Sequence, residues 1–250
     1  LGLVSFVSIW LISGKSILAF NFLRVAVGDG VTEYPFATIP LFTVMGLLVS
    51  RAGLGTDIYT VLNRGFHKLT GGVGMATVGA NAVFAAVTGS SIASASVFTR
   101  IAVPEMRKLN YDKRFAVGVV AGSSVLGMII PPSAMLIIYS FVSEQSVGDM
   151  FLAGIVPGLI LTAAYISWIF ISGYLRPSYI GKNIDKAFER PLSLSELMDK
   201  TVPIVALIML VLGGIYTGWL TPVEAGASGA LFSVIIAVLR RRMTWRGLWE

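Results

Sequence analysis

Residues 69–99 read LTGGVGMATVGANAVFAAVTGSSIASASVFT, and residues 115–143 read FAVGVVAGSSVLGMIIPPSAMLIIYSFVS. Neither stretch contains a charge, and each is interrupted near its middle by residues that helices avoid. The first breaks at Thr88-Gly89-Ser90-Ser91 and the second at Pro131-Pro132-Ser133. Hydrocarbon supplies no hydrogen-bond partners, so a broken backbone at membrane depth survives only where protein or a polar cavity satisfies it. A pair of interrupted apolar segments is the sequence trace of a transporter's binding site.

Composition fits a membrane setting. The 250 residues are 55% apolar and 13% charged, with a mean hydropathy of +0.81; soluble domains carry about 25% charge. With no cysteine, a disulfide framework, a thiolate metal site and a Cys nucleophile are all excluded. The net charge of +6 does not point to nucleic acid, because the basic residues sit in connections between apolar blocks. The chain opens on Leu1 within an apolar run and stops at Glu250 after a basic turn, so it reads as a piece of a longer polypeptide.

Uncharged blocks fall at 1–14, 34–50, 69–99, 115–143, 150–175, 201–223 and 225–239. The connections 51–68, 100–114, 176–200 and 240–250 hold 3, 5, 5 and 4 Lys/Arg, 17 of the 19 present. The connections 15–33 and 144–149 are poor in basic residues. The positive-inside rule therefore assigns the first set to the cytoplasm and the second to the outside. Basic connections flank 69–99 on both sides, so its two ends share a face. As one helix its 31 residues would span about 46 Å, well beyond one crossing of about 30 Å. Folded at 88–91 it becomes a re-entrant hairpin, while 115–143 crosses outward, 150–175 returns, 201–218 leaves and 223–239 comes back.

At the hairpin tip, Gly89 permits backbone angles closed to other residues, and Ser90 and Ser91 place hydroxyl oxygens beside freed carbonyls. Half-helix C-termini and unwound carbonyls coordinate Na⁺ in transporters; a plain helix–turn–helix cap uses the same residue types. Pro131 and Pro132 remove two backbone donors and clash with carbonyls four residues earlier. Gly122-Ser123-Ser124 lies just upstream as a second small, hydroxyl-rich cluster. Together the two breaks favour an ion or substrate site over two caps. Asn81 is either a bridge between helices or a site ligand.

Other signals have plainer readings. Thr221-Pro222-Val223-Glu224 and Ser193-Leu194-Ser195-Glu196 read as capping boxes, the second opening a short cytoplasmic helix. Gly226-Ala227-Ser228-Gly229 has the spacing of an intramembrane serine nucleophile, but a nucleophile needs a base. The single histidine, His67, lies far upstream, and close helix packing accounts for the small residues. No enzyme is expected.

Ile39-Pro40-Leu41-Phe42 with Met45-Gly46, Ala52-Gly53-Leu54-Gly55, residues 84–91, Pro104-Glu105-Met106, Tyr111-Asp112 and residues 126–133 closely resemble the large membrane subunit of TRAP transporters. Thr221-Pro222, Glu224-Ala225 and Thr244-Trp245-Arg246-Gly247-Leu248 resemble the same family. The chain departs from the family's usual Gly-Thr-Leu-Gly at Ser123-Ser124-Val125-Leu126-Gly127, which leaves ligand positions at 122–125 open by one place.

The resemblance implies an all-α polytopic membrane protein, an elevator-type transporter with inverted repeats, a re-entrant helical hairpin and a Pro-Pro broken helix. It divides the chain into N-terminal scaffold helices (1–68), a transport-domain hairpin and broken helix (69–143), a membrane helix with its cytoplasmic connection (144–200), and the start of a second repeat (201–250). It implies Na⁺-coupled uptake of organic acids across a bacterial inner membrane. Gly89, Ser90, Ser91, Gly122, Ser123, Ser124 and Gly127 are the candidate Na⁺ ligands; Asn81, Thr88, Pro131, Pro132 and Ser133 are the substrate-site candidates. Na⁺ is the coupling ion, with no other metal and no cofactor. The expected partners are a small four-helix membrane subunit, a periplasmic substrate-binding protein, the organic acid and the lipid bilayer. The alternative is a proton-coupled or exchange-type anion carrier of similar fold. A purely structural membrane subunit would not need two broken helices at one depth.

Overall fold

The computed structural model describes residues 2–32, 34–180 and 193–240, and among these no strand occurs. Residues 241–250, with the Thr244-Trp245-Arg246-Gly247-Leu248 motif, and the middle of the 176–200 connection lie outside the described residues. Helix α1 (Gly2–Ser13) pairs with α2 (Ser16–Thr32). That corrects the reading of 15–33 as a connection. The charges at Lys15 and Arg24 bracket eight uncharged residues containing Ile17, Leu18, Phe20, Phe22 and Leu23, enough apolar surface to hold a helix against lipid or protein.

Helix α3 (Thr38–Arg51) meets α4 (Leu54–Phe66) at a 63° bend. The bend is made at Gly53, whose φ of 71° is open to glycine at little cost. Most of the expected connection 51–68 is thus helical. Leu54, Ile58 and Tyr59 recur on one face and are buried with Asp57 and Asn63, while Arg64 stays on the outer side, the 3.6-residue pattern of an amphipathic helix.

The 69–99 block forms two helices, α5 (Gly72–Thr88) and α6 (Ser91–Lys108), joined at Gly89 and Ser90. The return is complete: Phe84 and Phe98 meet edge to face at 5.5 Å near the tip. At the far end, the Val73 and Gly74 backbone N–H groups donate to the Tyr111 hydroxyl. Burial pushes the Tyr111 phenol up to about 12, so it stays protonated at neutral pH. Helix α5 is buried on nearly every side, packed by α3, α4, α6, α7 and α9, which makes it the core of this region.

The second block forms α7 (Lys113–Ser124), a 3₁₀ turn (Val125–Met128), the irregular segment 129–133 and α8 (Ala134–Val142). Helix α9 (Val147–Leu175) follows, then α10 (Leu194–Tyr216), which has a π-turn over Met209–Gly213, and α11 (Pro222–Leu239). Among the described residues, α9, α10 and α11 are each long and apolar enough to cross a membrane, and the bent pair α3–α4 adds a fourth if it counts as one span. The Ser193/Glu196 capping box is present, with the Ser193 N–H donating to the Glu196 carboxylate at 3.0 Å. It opens a 23-residue helix rather than the expected short one, because nothing between Leu194 and Tyr216 terminates it. Thr221 and Glu224 cap α11 reciprocally, at 2.8 and 3.3 Å. Gly226 and Gly229 leave no room for a Cβ against Leu41 and Met45 of α3, and the Ser228 hydroxyl donates to Ala225 O at 3.1 Å. The Gly-x-Ser-Gly stretch is a packing surface.

Charge and fold agree about the two ends of the bundle. At one end, the Asp112 N–H donates to Tyr179 O at 3.0 Å, and Phe115 stacks on Tyr179 at 6.0 Å. Thr70 packs beside Gly173 there as well, so three of the basic connections lie together. At the opposite end, Phe36 stacks on Phe141 at 4.1 Å. The positive-inside rule puts the first end in the cytoplasm. A single Lys108→Cys in a full-length protein otherwise freed of cysteine should resist a membrane-impermeant thiol reagent in intact cells, while Gln145→Cys should label. Both positions are exposed; the reverse labelling pattern inverts the orientation.

Candidate functional site

The two breaks touch. A Cβ at Gly127 would lie 2.8 Å from Ser90 C and from Ser91 N, and a Cβ at Gly89 would collide with the Pro132 carbonyl oxygen. The Ala134 N–H reaches Gly89 O at 3.5 Å. Gly46 of α3 closes a third side, with the space of its missing Cβ 2.9 Å from Thr88 O. Gly154 and Gly158 of α9 close a fourth, facing Ile129 O and the Ile130 side chain at 2.6 Å each. From Val147 to Gly154 is about 10 Å along α9, and from Gly158 to Leu175 about 26 Å, at 1.5 Å per residue. The junction therefore lies within the span, nearer the end opposite the basic connections.

Local chemistry explains each turn. Gly89 ends α5 in a left-handed conformation, φ 59°, with its N–H on Ala85 O at 3.0 Å. Ser90 is the N-cap of α6, its hydroxyl accepting from the Ala93 N–H at 3.3 Å. Thr88 is buried and its hydroxyl returns to Phe84 O at 2.9 Å. In the second break the Ser133 hydroxyl donates to Met128 O at 2.7 Å, compensating a backbone that Pro131 and Pro132 deprive of donors. Capping is thus part of what these residues do, as their types alone suggested.

The remaining candidates separate. Asn81 and Ser123 meet: Asn81 Nδ2 donates to Ser123 Oγ at 2.6 Å, and Ser123 Oγ donates to Val119 O at 2.6 Å. Asn81 is fully buried with Oδ1 unpartnered, so it bridges α5 and α7 and still presents one oxygen. The Ser124 hydroxyl turns back to Ala121 O at 2.8 Å. Gly122 lies away from the tip, beside the Tyr165 ring at 3.6 Å. Gly46, Gly154 and Gly158 were not singled out from sequence as part of the junction. The four-residue spacing of the last two is the small-residue signal that marks close helix contact.

A cavity of about 220 Å³ opens beside the junction, lined by Thr43, Gly46, Thr88, Gly89, Ser90 and Ser91 with Phe42, Met128 and Met135 among the apolar walls. The Ser91 hydroxyl is half-buried at its edge and makes no hydrogen bond among the described residues. Four helix ends converge here. Those of α5 and α7 are C-termini, carrying partial negative charge; those of α6 and α8 are N-termini, carrying partial positive charge. Such a junction presents partial charges of both signs without any charged side chain in the cavity lining. Among the described residues no cluster of His, Asp and Glu fit to hold a transition metal occurs.

Residues 1–250 match the family described as the tripartite ATP-independent periplasmic transporter, DctM component. The chain is 32% identical over 242 residues to the C4-dicarboxylate TRAP transporter large permease protein of Pseudomonas aeruginosa, covering 95% of this chain and 54% of that one. It is 28% identical to the sialic acid TRAP transporter large permease of Vibrio cholerae, over 92% of this chain and 53% of the relative. It is 30% identical to the 2,3-diketo-L-gulonate TRAP transporter large permease of Escherichia coli, over 89% and 51%. The chain spans about half the length of these relatives, and all three are permeases rather than enzymes.

Proposed function

Because the chain belongs to the DctM family of tripartite ATP-independent periplasmic transporters, we propose that it forms one sodium-binding half of an organic-acid importer in a bacterial inner membrane. The observation that carries this reading is the contact of the two breaks, Ser90 on Gly127 and Gly89 on Pro132, within the span. The freed carbonyls at the ends of α5 and α7 coordinate Na⁺, assisted by the Ser91 hydroxyl; the N-termini of α6 and α8 face the substrate carboxylate. The hairpin and broken helix (69–143) move as the transport domain, and 1–68 belongs to the scaffold. The second half of the substrate site comes from the inverted second repeat that 201–250 begins. A small four-helix membrane subunit and a periplasmic substrate-binding protein complete the assembly.

The substrate class follows the relatives, whose names give C4-dicarboxylate, sialic acid and 2,3-diketo-L-gulonate: a small organic acid. The test is uptake into proteoliposomes by the full-length transporter with its partner subunits. An inward sodium gradient should drive it and choline replacement should abolish it. Ser91→Ala removes an oxygen that supports no hydrogen bond among the described residues, so stability should change by under about 0.5 kcal/mol. The half-saturating sodium concentration should rise about tenfold or more, the equivalent of losing one buried polar contact of about 1–3 kcal/mol. Ser167→Ala, on the exposed face of α9, should leave it unchanged. Uptake that ignores sodium overturns the coupling and favours a proton-coupled or exchange carrier.

A further inference from the structure

At the basic end of the bundle, α5, α7 and α9 leave a groove that the transport reading does not use. A cavity of about 330 Å³ lies along Gly118, Val119 and Gly122 of α7 and Tyr165 and Ile169 of α9, with Arg114 at its mouth. Gly118 has nothing within 4 Å of where a Cβ would stand, and Gly122 meets only the Tyr165 ring, so the floor is a trough without side chains. A second cavity of about 220 Å³ adjoins it, sharing Phe115 and Trp168 and bearing Arg176 at its edge. Trp168 is 65% exposed between them. Arg114 and Arg176 are exposed and neither forms an ion pair among the described residues. Arg176 instead lies over the Tyr179 ring at 5.6 Å and donates to its hydroxyl at 3.2 Å.

The pattern is one-sided. The trough is apolar along its length and open sideways, where Val117 and Ile171 face out; cationic groups occur only at the end that the charge rule places at the cytoplasmic headgroup level. A soluble organic anion has no use for the trough, and an apolar helix has no use for two unpaired guanidinium groups. An amphipathic ligand with an anionic head satisfies both. We propose that this groove binds an anionic phospholipid of the cytoplasmic leaflet, its phosphate between Arg114 and Arg176 and one acyl chain along Gly118 and Gly122. Basic pockets between membrane helices on the cytoplasmic side have this chemistry, and an exposed tryptophan at that depth is a headgroup-level anchor.

The experiment uses the full-length transporter complex in detergent, with phosphatidylglycerol and phosphatidylcholine carrying brominated acyl chains as quenchers of tryptophan fluorescence. The Trp168 signal is the part lost in Trp168→Phe. Brominated phosphatidylglycerol should quench it at a concentration about fivefold or more below that for phosphatidylcholine, since each arginine near the surface contributes about 1 kcal/mol, a factor of about five. Arg114→Gln with Arg176→Gln should abolish the preference while thermal stability holds, and Gly122→Leu should reduce quenching by both lipids. Equal quenching by the two lipids in the unaltered protein means a non-specific annulus and overturns the proposal. So does a preference that survives the double substitution. A Trp168 signal that neither lipid quenches means that protein covers the groove, and overturns it too.

Discussion

Gly89→Ala is expected to abolish uptake by the full-length transporter. Two costs add at this one position. The backbone sits at φ 59°, where an L side chain costs about 1–2 kcal/mol. The new methyl would also collide with the Pro132 carbonyl oxygen, with Pro132 C only 3.1 Å away. Overpacking of a closed contact typically costs about 1–3 kcal/mol, and here the neighbour is backbone held by Pro131 and Pro132, with no flexible chain end to yield. Together these come to roughly 3 kcal/mol, enough to part the hairpin tip from the broken helix. The check is sodium-driven uptake at matched expression, with Gly65→Ala as the control: its Cβ would meet nothing. Normal uptake by Gly89→Ala would show that the tip need not touch the second break, and the site as described would be wrong.

The second large effect is expected far from that site. Asp57 is 1% exposed on α4, and its carboxylate pairs with Lys200 Nζ of α10 at 3.1 Å and with the guanidinium of Arg240 at the end of α11. Arg240 also reaches Asp199 at 3.5 Å. Three helices distant in sequence are therefore tied at one carboxylate. Removing one member of a buried ion cluster leaves the others uncompensated and costs about 3–5 kcal/mol. The lower end applies here, because the Lys200 and Arg240 side chains keep 25% and 12% of their exposure. Asp57→Ala should lower the thermal midpoint of the purified protein clearly, whereas Glu105→Ala, which loses only an exposed pair with Lys108 at 3.8 Å, should not. Combining Asp57→Leu with Lys200→Met and Arg240→Met should recover much of the loss, since an apolar cluster can replace a buried ionic one. An Asp57→Ala protein as stable as the original would mean that the cations find other partners at no cost.

Several features of the molecule follow from local sequence alone. Residues 69–99 and 115–143 are uncharged and broken by glycine, serine and proline, so interrupted helices follow from backbone chemistry and the absence of water in hydrocarbon. The basic connections are expected at one end because charge resists translocation, and among the described residues the fold brings 109–114 and 176–180 together. The caps at Ser90, Ser193 and Thr221 were legible because a helix terminus must be satisfied within three residues of itself.

Tertiary structure decided what short-range signals do not encode. A cluster such as Gly122-Ser123-Ser124 looks uniform as a string, yet successive residues on a helix point about 100° apart. Gly122 therefore meets Tyr165 of α9, Ser123 meets Asn81 of α5, and Ser124 bonds its own turn. Gly127, on the 3₁₀ turn beyond, is the member that meets the hairpin tip. The role of Gly46 was equally hidden, because a glycine that admits a neighbour reads the same as one that merely bends; the spacing of Gly154 and Gly158 marks a close contact but not its partner. Nothing in the 51–68 connection marks Asp57 as buried, yet Lys200 and Arg240, more than 140 residues away, pair with it. Those contacts are set by how whole helices pack, and pairing between distant helices leaves no periodic mark on either segment.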